Sequence, residues 1–143
     1  MIKTVFSIST LVAATLFASV SANAGDPAVE RQALMKLNGA ATGVLAGMVK
    51  GQTDFDAVKA QQALNVLHGA ALGFGYMFPE GSETGANTEA AATIWSDRAG
   101  FDAAVAKYIS DTSATITDMD SLKAAFGAAA ANCGSCHKAY RTK

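Results

Sequence analysis

The chain has 143 residues, half of them hydrophobic, and its eleven Lys and Arg nearly balance twelve Asp and Glu, for a formal net charge of −1. That length suits one domain with a full apolar core. With no basic tract and no aromatics interleaved among basic residues, a phosphate-binding footprint is absent, which excludes nucleic acid as a partner.

The N-terminal stretch reads as an export signal. Lys3 precedes an apolar run from Val5 to Val20, broken only by small hydroxyl residues, and Ala22-Asn23-Ala24 follows. A charged start, an apolar segment short for a bilayer and an A-x-A exit match a cleaved secretory signal peptide. Gly25-Asp26-Pro27 brings no basic stop-transfer flank that would argue for a retained anchor. Residues 1–24 are therefore expected to be removed, leaving residues 25–143 as one mature domain with no transmembrane anchor. Lys3 is the only charged side chain lost, so ten Lys and Arg then face twelve Asp and Glu.

Four helical segments and no strand are predicted after the signal. The first opens at Asp26-Pro27, where Asp caps free amides and Pro suits the first helical position. Leu34, Leu37 or Asn38, Ala41, Leu45 and Met48 recur at helical spacing, and Gly51 stops the segment after Lys50. A second segment starts near Asp54 and places Ala57, Ala60, Leu64, Leu67 and Ala71 on one side, until Gly73 and Gly75 disrupt it. From Phe78-Pro79 to Asn87 the polar, glycine-rich chain is a surface loop. A third helix, from about Thr88 or Ala90 to Ile109, carries Ile94, Arg98, Phe101, Val105 and Tyr108 in one stripe. The fourth opens at Asp120 as N-cap and runs to about Tyr140, with Leu122, Phe126, Ala129 or Ala130, Cys133 and His137 as its stripe. Short connections make an all-α antiparallel four-helix bundle the simplest way to bury four stripes, and the many Ala and Gly leave interior for a large planar ligand.

The chemistry lies in Cys133-Gly134-Ser135-Cys136-His137. Two cysteines in an exported chain suggest a disulfide first, but this spacing is that of c-type haem attachment: two thiols add across the haem vinyl groups, and the adjacent imidazole reaches the iron. On a helix Cys133 and His137 are four apart and share a face. A thioredoxin-like redox pair would sit at a helix N-terminus after a strand, where the dipole lowers the thiol pKa, and this pair sits at a C-terminus. A structural zinc site needs four ligands, and His68 is the one further nitrogen donor of that kind.

The motif stands almost at the end of the chain, with only Lys138 to Lys143 after it. In this the chain resembles the cytochrome c′ family, the class II c-type cytochromes. The resemblance extends over Arg31-Gln32, Lys50-Gly51-Gln52, Ile94-Trp95-Ser96-Asp97, Leu122-Lys123-Ala124-Ala125-Phe126-Gly127 and the haem motif through Arg141. It implies a bundle enclosing one covalently attached haem c near one end, bound through Cys133 and Cys136 with His137 as proximal iron ligand, in the periplasm of a Gram-negative bacterium.

Within that family a residue of the first helix decides the sixth iron position, four residues after the arginine matched by Arg31. Here it is Met35. Periodicity alone leaves Met35, Met48, Met77 and His68 open; the resemblance selects Met35, the pattern of a low-spin, Met/His-ligated electron carrier. An apolar or open sixth side would instead make a high-spin protein that binds nitric oxide or carbon monoxide. The resemblance also implies contacts to a haem propionate or haem edge from Arg31, Gln32 and Glu89. Expected partners are soluble or membrane-bound redox proteins, and the chain is expected to be a monomer or homodimer. No distal His and Arg pair supports an enzyme of the peroxidase kind.

Overall fold

The computed structural model describes residues 25–142, and the expected signal peptide lies outside them. Five α-helices follow in order: α1 (Pro27–Val49), α2 (Ala57–Phe74), α3 (Thr93–Ser96), α4 (Arg98–Thr112) and α5 (Met119–Tyr140). A 3₁₀ turn, Gly75–Met77, extends α2. Among the described residues there is no strand, only an isolated bridge between Ala90 and Arg141.

Each of the four longer helices begins where a carboxylate satisfies amides that have no intrahelical partner. Asp26 accepts from the Ala28 amide, with Pro27 at the first helical position; Asp56 accepts from Lys59. Asp118, not the expected Asp120, caps α5: its side chain accepts from the Ser121 amide while the Ser121 hydroxyl bonds back to the cap, a reciprocal capping box. α2, expected to start near Asp54, begins at Ala57 with Asp56 as its cap. At the other end of α1, Gly51 adopts φ +67°. Its amide bonds Met48 O and the Gln52 amide bonds Gly47 O, the Schellman closure that favours glycine.

The single third helix expected from the sequence is two. Asp97 leaves the helical region at φ −122°, ψ 56°, and its side chain caps α4 by accepting from the Gly100 amide. The one-turn α3 before it answers to α5 instead: Ala91 N donates to Tyr140 O and Thr93 Oγ1 to Ala139 O. Carbonyls at a helix C-terminus lack intrahelical partners, and satisfying them pulls residues 90–96 off the α4 axis.

α1 packs on α2, α2 on α4, α4 on α5, and α5 closes back on α1. The pairs are antiparallel. Arg31 of α1 bonds Met77 O just past α2, Gln61 of α2 bonds Ala114 O after α4, and Asn132 of α5 bonds Asp111 of α4 while Tyr140 meets Phe101 edge to face. The start of α1, the end of α2, the start of α4 and the end of α5 therefore share one end of the bundle. The main core fills the middle and the opposite end around Leu45, Met48, Leu64, Leu67 and Leu122. A second cluster, Phe78, Ile94 and Phe101, lies at the shared end.

Candidate functional site

The last turns of α5 place the three residues of the expected attachment motif at that shared end. Cys133 and Cys136 are half-buried and unpaired with each other, and His137 is exposed. The inward stripe of α5 runs through Leu122, Ala125, Ala129 and Asn132. Phe126 and Cys133 stand at its margin, so the stripe is turned slightly from the expected one. Burial pushes both thiols above their ordinary pKa, and the negative end of the helix dipole adds no help to a thiolate. A low-pKa redox pair does not fit there. Partial desolvation, with the nearby Arg141 cation, holds His137 below its ordinary pKa, partly offset by Glu89, a direction that favours the neutral imidazole a metal needs.

On α1 the buried stripe is Ala28, Arg31, Asn38, Ala41, Leu45 and Met48. Between the alternatives Leu37 and Asn38, the apolar side chain is outside and the polar one inside: Leu37 is 50% exposed and Asn38 8%. Met35 lies on this stripe, four residues from Arg31 and three from Asn38, yet is only half-buried. The other described methionines are accounted for by packing. Met48 is in the main core, Met119 packs against it, and Met77 packs against the aromatic cluster. Met35 belongs to neither. His68 is equally engaged elsewhere, its Nδ1 3.1 Å from Ile109 O and 3.2 Å from Thr112 Oγ1, tying α2 to the end of α4.

Arg31 is buried, and its terminal nitrogens are committed to the loop after α2. Nη1 donates to Met77 O (2.8 Å) and Ser82 Oγ (3.0 Å), Nη2 to Ser82 O (2.8 Å). The guanidinium also lies 4.7 Å from the Phe78 ring centroid and 5.9 Å from that of Trp95, contacts that favour a buried cation. Gln32 Nε2 donates to Ala86 O at 2.7 Å. Glu89 accepts from Arg141 Nε at 2.6 Å, and its carbonyl accepts from the Thr142 amide, fastening the loop to the end of α5. All three residues thus organise residues 77–92 at the end that carries the cysteines.

Part of this end leaves no periodic signal in the sequence. Phe78 contacts Phe74, Trp95 and Phe101 edge-on or nearly so, with centroids 4.8–5.8 Å apart, and Phe101 meets Tyr140 at 5.3 Å. Phe78 stands where the chain turns polar and glycine-rich, and its role depends on a fold-back invisible to periodicity. Among the described residues, three buried side-chain polar atoms have no hydrogen-bond partner: Arg31 Nε, Asn38 Oδ1 and the Tyr108 hydroxyl. Tyr108 also comes level with Cys133, because α4 and α5 run antiparallel with Phe101 beside Tyr140, and two turns carry each helix from one pair to the other.

Comparison with known proteins matches residues 26–141 to the family described as Cytochrome C′. The chain is similar to cytochrome c′ of Rhodopseudomonas palustris (38% identical over 121 residues, 82% of this chain and 83% of that protein). It is also similar to cytochrome c-556 of Agrobacterium fabrum (36% over 143 residues, 95% and 97%). The solved structure of Rhodopseudomonas palustris cytochrome c′ superposes with a TM-score of 0.79 at 38% identity, covering 83% of this chain and 98% of that one.

Proposed function

This chain belongs to the cytochrome c′ family and carries one covalent haem c, and from that premise we propose that it is a single-electron carrier whose iron is held by His137 and Met35. The observation that carries the reading is the position of Met35: on the inward stripe of α1, at the end of the bundle shared with Cys133 and His137, and in neither packed cluster.

The residues at this end suit a haem. Two half-buried thiols and a neutral imidazole are the donor set that thioether attachment and iron ligation require. Aromatic side chains stand alongside, and the orphaned Asn38, Arg31 and Tyr108 atoms are buried polar groups still lacking a partner, a condition that usually marks a functional site or an additional bound group.

Haem c supplies the one-electron couple, and a Met/His ligand pair favours electron transfer over ligand chemistry. The chain's own residues do the rest. Cys133 and Cys136 provide the attachment thiols, and His137, one turn from Cys133, provides a neutral nitrogen. Met35 would supply a thioether as the second iron ligand. Arg31, Gln32 and Glu89 hold the loop of residues 77–92 against the same end, and through it they would border a haem propionate or edge.

The proposal extends to the setting. Residues 1–24 are a cleaved export signal, residues 25–143 act in the periplasm, and the partners are redox proteins rather than substrates to be turned over. No described helix is long and apolar enough to cross a membrane. A second reading, nitric oxide or carbon monoxide binding at a free sixth position, requires Met35 off the iron. The optical spectrum of the purified protein and of Met35→Ala tests the choice. Ligation by Met35 predicts a low-spin spectrum indifferent to carbon monoxide, turning high-spin and carbon monoxide-binding in the variant. A high-spin spectrum already present in the unaltered protein, or no change on substitution, refutes it.

A further inference from the structure

We infer that Asn38, one turn from Met35 on α1, would donate a hydrogen bond to a small diatomic ligand that reaches the iron when Met35 is displaced. This rests on the reading above, in which α1 supplies the group opposite His137.

Asn38 occupies the inward stripe of α1 with only 8% of its surface exposed, and its Oδ1 is fully enclosed without a partner. Among buried polar groups such an atom is an exception that calls for a reason. Packing offers none, since an apolar side chain of similar size fills the same space without leaving an amide unpaired. Asn38 follows Met35 by three residues, so the two share a face. Helical side chains lean toward the N-terminus, which lays the carboxamide of residue 38 over the turn that bears residue 35.

The two ends of a carboxamide are interchangeable by a flip, so Asn38 offers a donor as well as an acceptor. A methionine thioether makes little use of a donor. The terminal oxygen of a diatomic accepts one. Asn38 therefore gives the α1 side of the haem a polar character that an apolar blocking residue would lack, and it favours a diatomic whenever Met35 is away from the iron.

Carbon monoxide is the probe, and the readouts are its C–O stretching frequency and its dissociation rate in reduced holoprotein. Met35→Ala is compared with Met35→Ala/Asn38→Leu, and with Met35→Ala/Asn38→Ala should leucine impair folding. Removing the donor is expected to raise the stretching frequency and to speed dissociation several-fold. An unchanged frequency and rate overturn the inference. If the unaltered protein itself binds carbon monoxide, the Met35 reading fails on its own, and the same shift is then expected of Asn38→Leu alone. Binding in neither background overturns both.

Discussion

Replacing Arg31 by leucine removes the guanidinium that joins the first turns of α1 to the loop after α2. Three of its hydrogen bonds, to Met77 O, Ser82 Oγ and Ser82 O, are 3.0 Å or shorter. Bonds of this kind to a charged group contribute about 1.5–3 kcal/mol each. Against that stands the cost of burying a cation, several kcal/mol even after relaxation, and burial does lower the Arg31 pKa, with Asp26 and Glu83 pulling it back up. Phe78 and Trp95 return part of that cost through their ring faces. In Arg31→Leu the desolvation penalty disappears along with the bonds, while two carbonyls lose their donor, so the net loss is expected to be about 2–4 kcal/mol. Urea unfolding of the holoprotein, followed by helical circular dichroism, measures it. Limited proteolysis should show cleavage within residues 77–92 rising in parallel. A loss below about 0.5 kcal/mol, the size expected of a surface substitution, with the loop still as resistant as before, would show that Arg31 does not hold it.

Two further outcomes follow from the helix ends. Gly51→Ala places a side chain at φ +67°, where a Cβ meets no atom within 4 Å; the whole cost is then backbone strain, about 1 kcal/mol, read as a lower urea midpoint with an unchanged haem spectrum. Asp118 has its carboxyl held below the ordinary range, first by the Ser121 amide and then by the Ser121 side chain. A depressed folded pKa stabilises the fold at pH values above the unfolded carboxyl pKa of about 3.9 and loses that contribution as pH falls through the folded pKa. Asp118→Ala should therefore lower the melting temperature at pH 7 and flatten its decline below about pH 4; a variant melting with the unaltered pH profile would refute the linkage.

The end of the bundle that carries Cys133, Cys136 and His137 depends on few residues, and they do different kinds of work. Cys133, Cys136 and His137 sit within one turn of a single helix, so local geometry positions them together. Met35 comes from a helix whose register against α5 is set by the main core, through Leu45 and Leu122. The loop that covers the end is organised by Arg31 in the middle, by Gln32 at Ala86 and by Glu89 at Arg141. Anything that loosens those fastenings acts on the side of the bundle that carries the haem motif.

The amino-acid sequence by itself determined the parts governed by short-range chemistry. The Cys133-to-His137 spacing is carried by five consecutive residues whatever surrounds them, Asp26-Pro27 starts α1, and Gly51 ends it, because capping and left-handed closure are local. The four long stripes likewise follow from 3.6-residue periodicity, which leads to an all-α bundle. Tertiary structure decided the rest. Periodicity did not separate Leu37 from Asn38, since adjacent positions on a helix differ by only about 100° and the choice is made by the neighbours α1 packs against. Asp97 broke the expected third helix because the open carbonyls of α5, more than forty residues away, claimed Ala91 and Thr93. Arg31 found its partners across α2 and the following loop, and Met35 became distinct from Met48 and Met77 only once those two were packed away. Contacts between residues distant in sequence leave no periodic trace along it, so their outcome appears only in the assembled bundle.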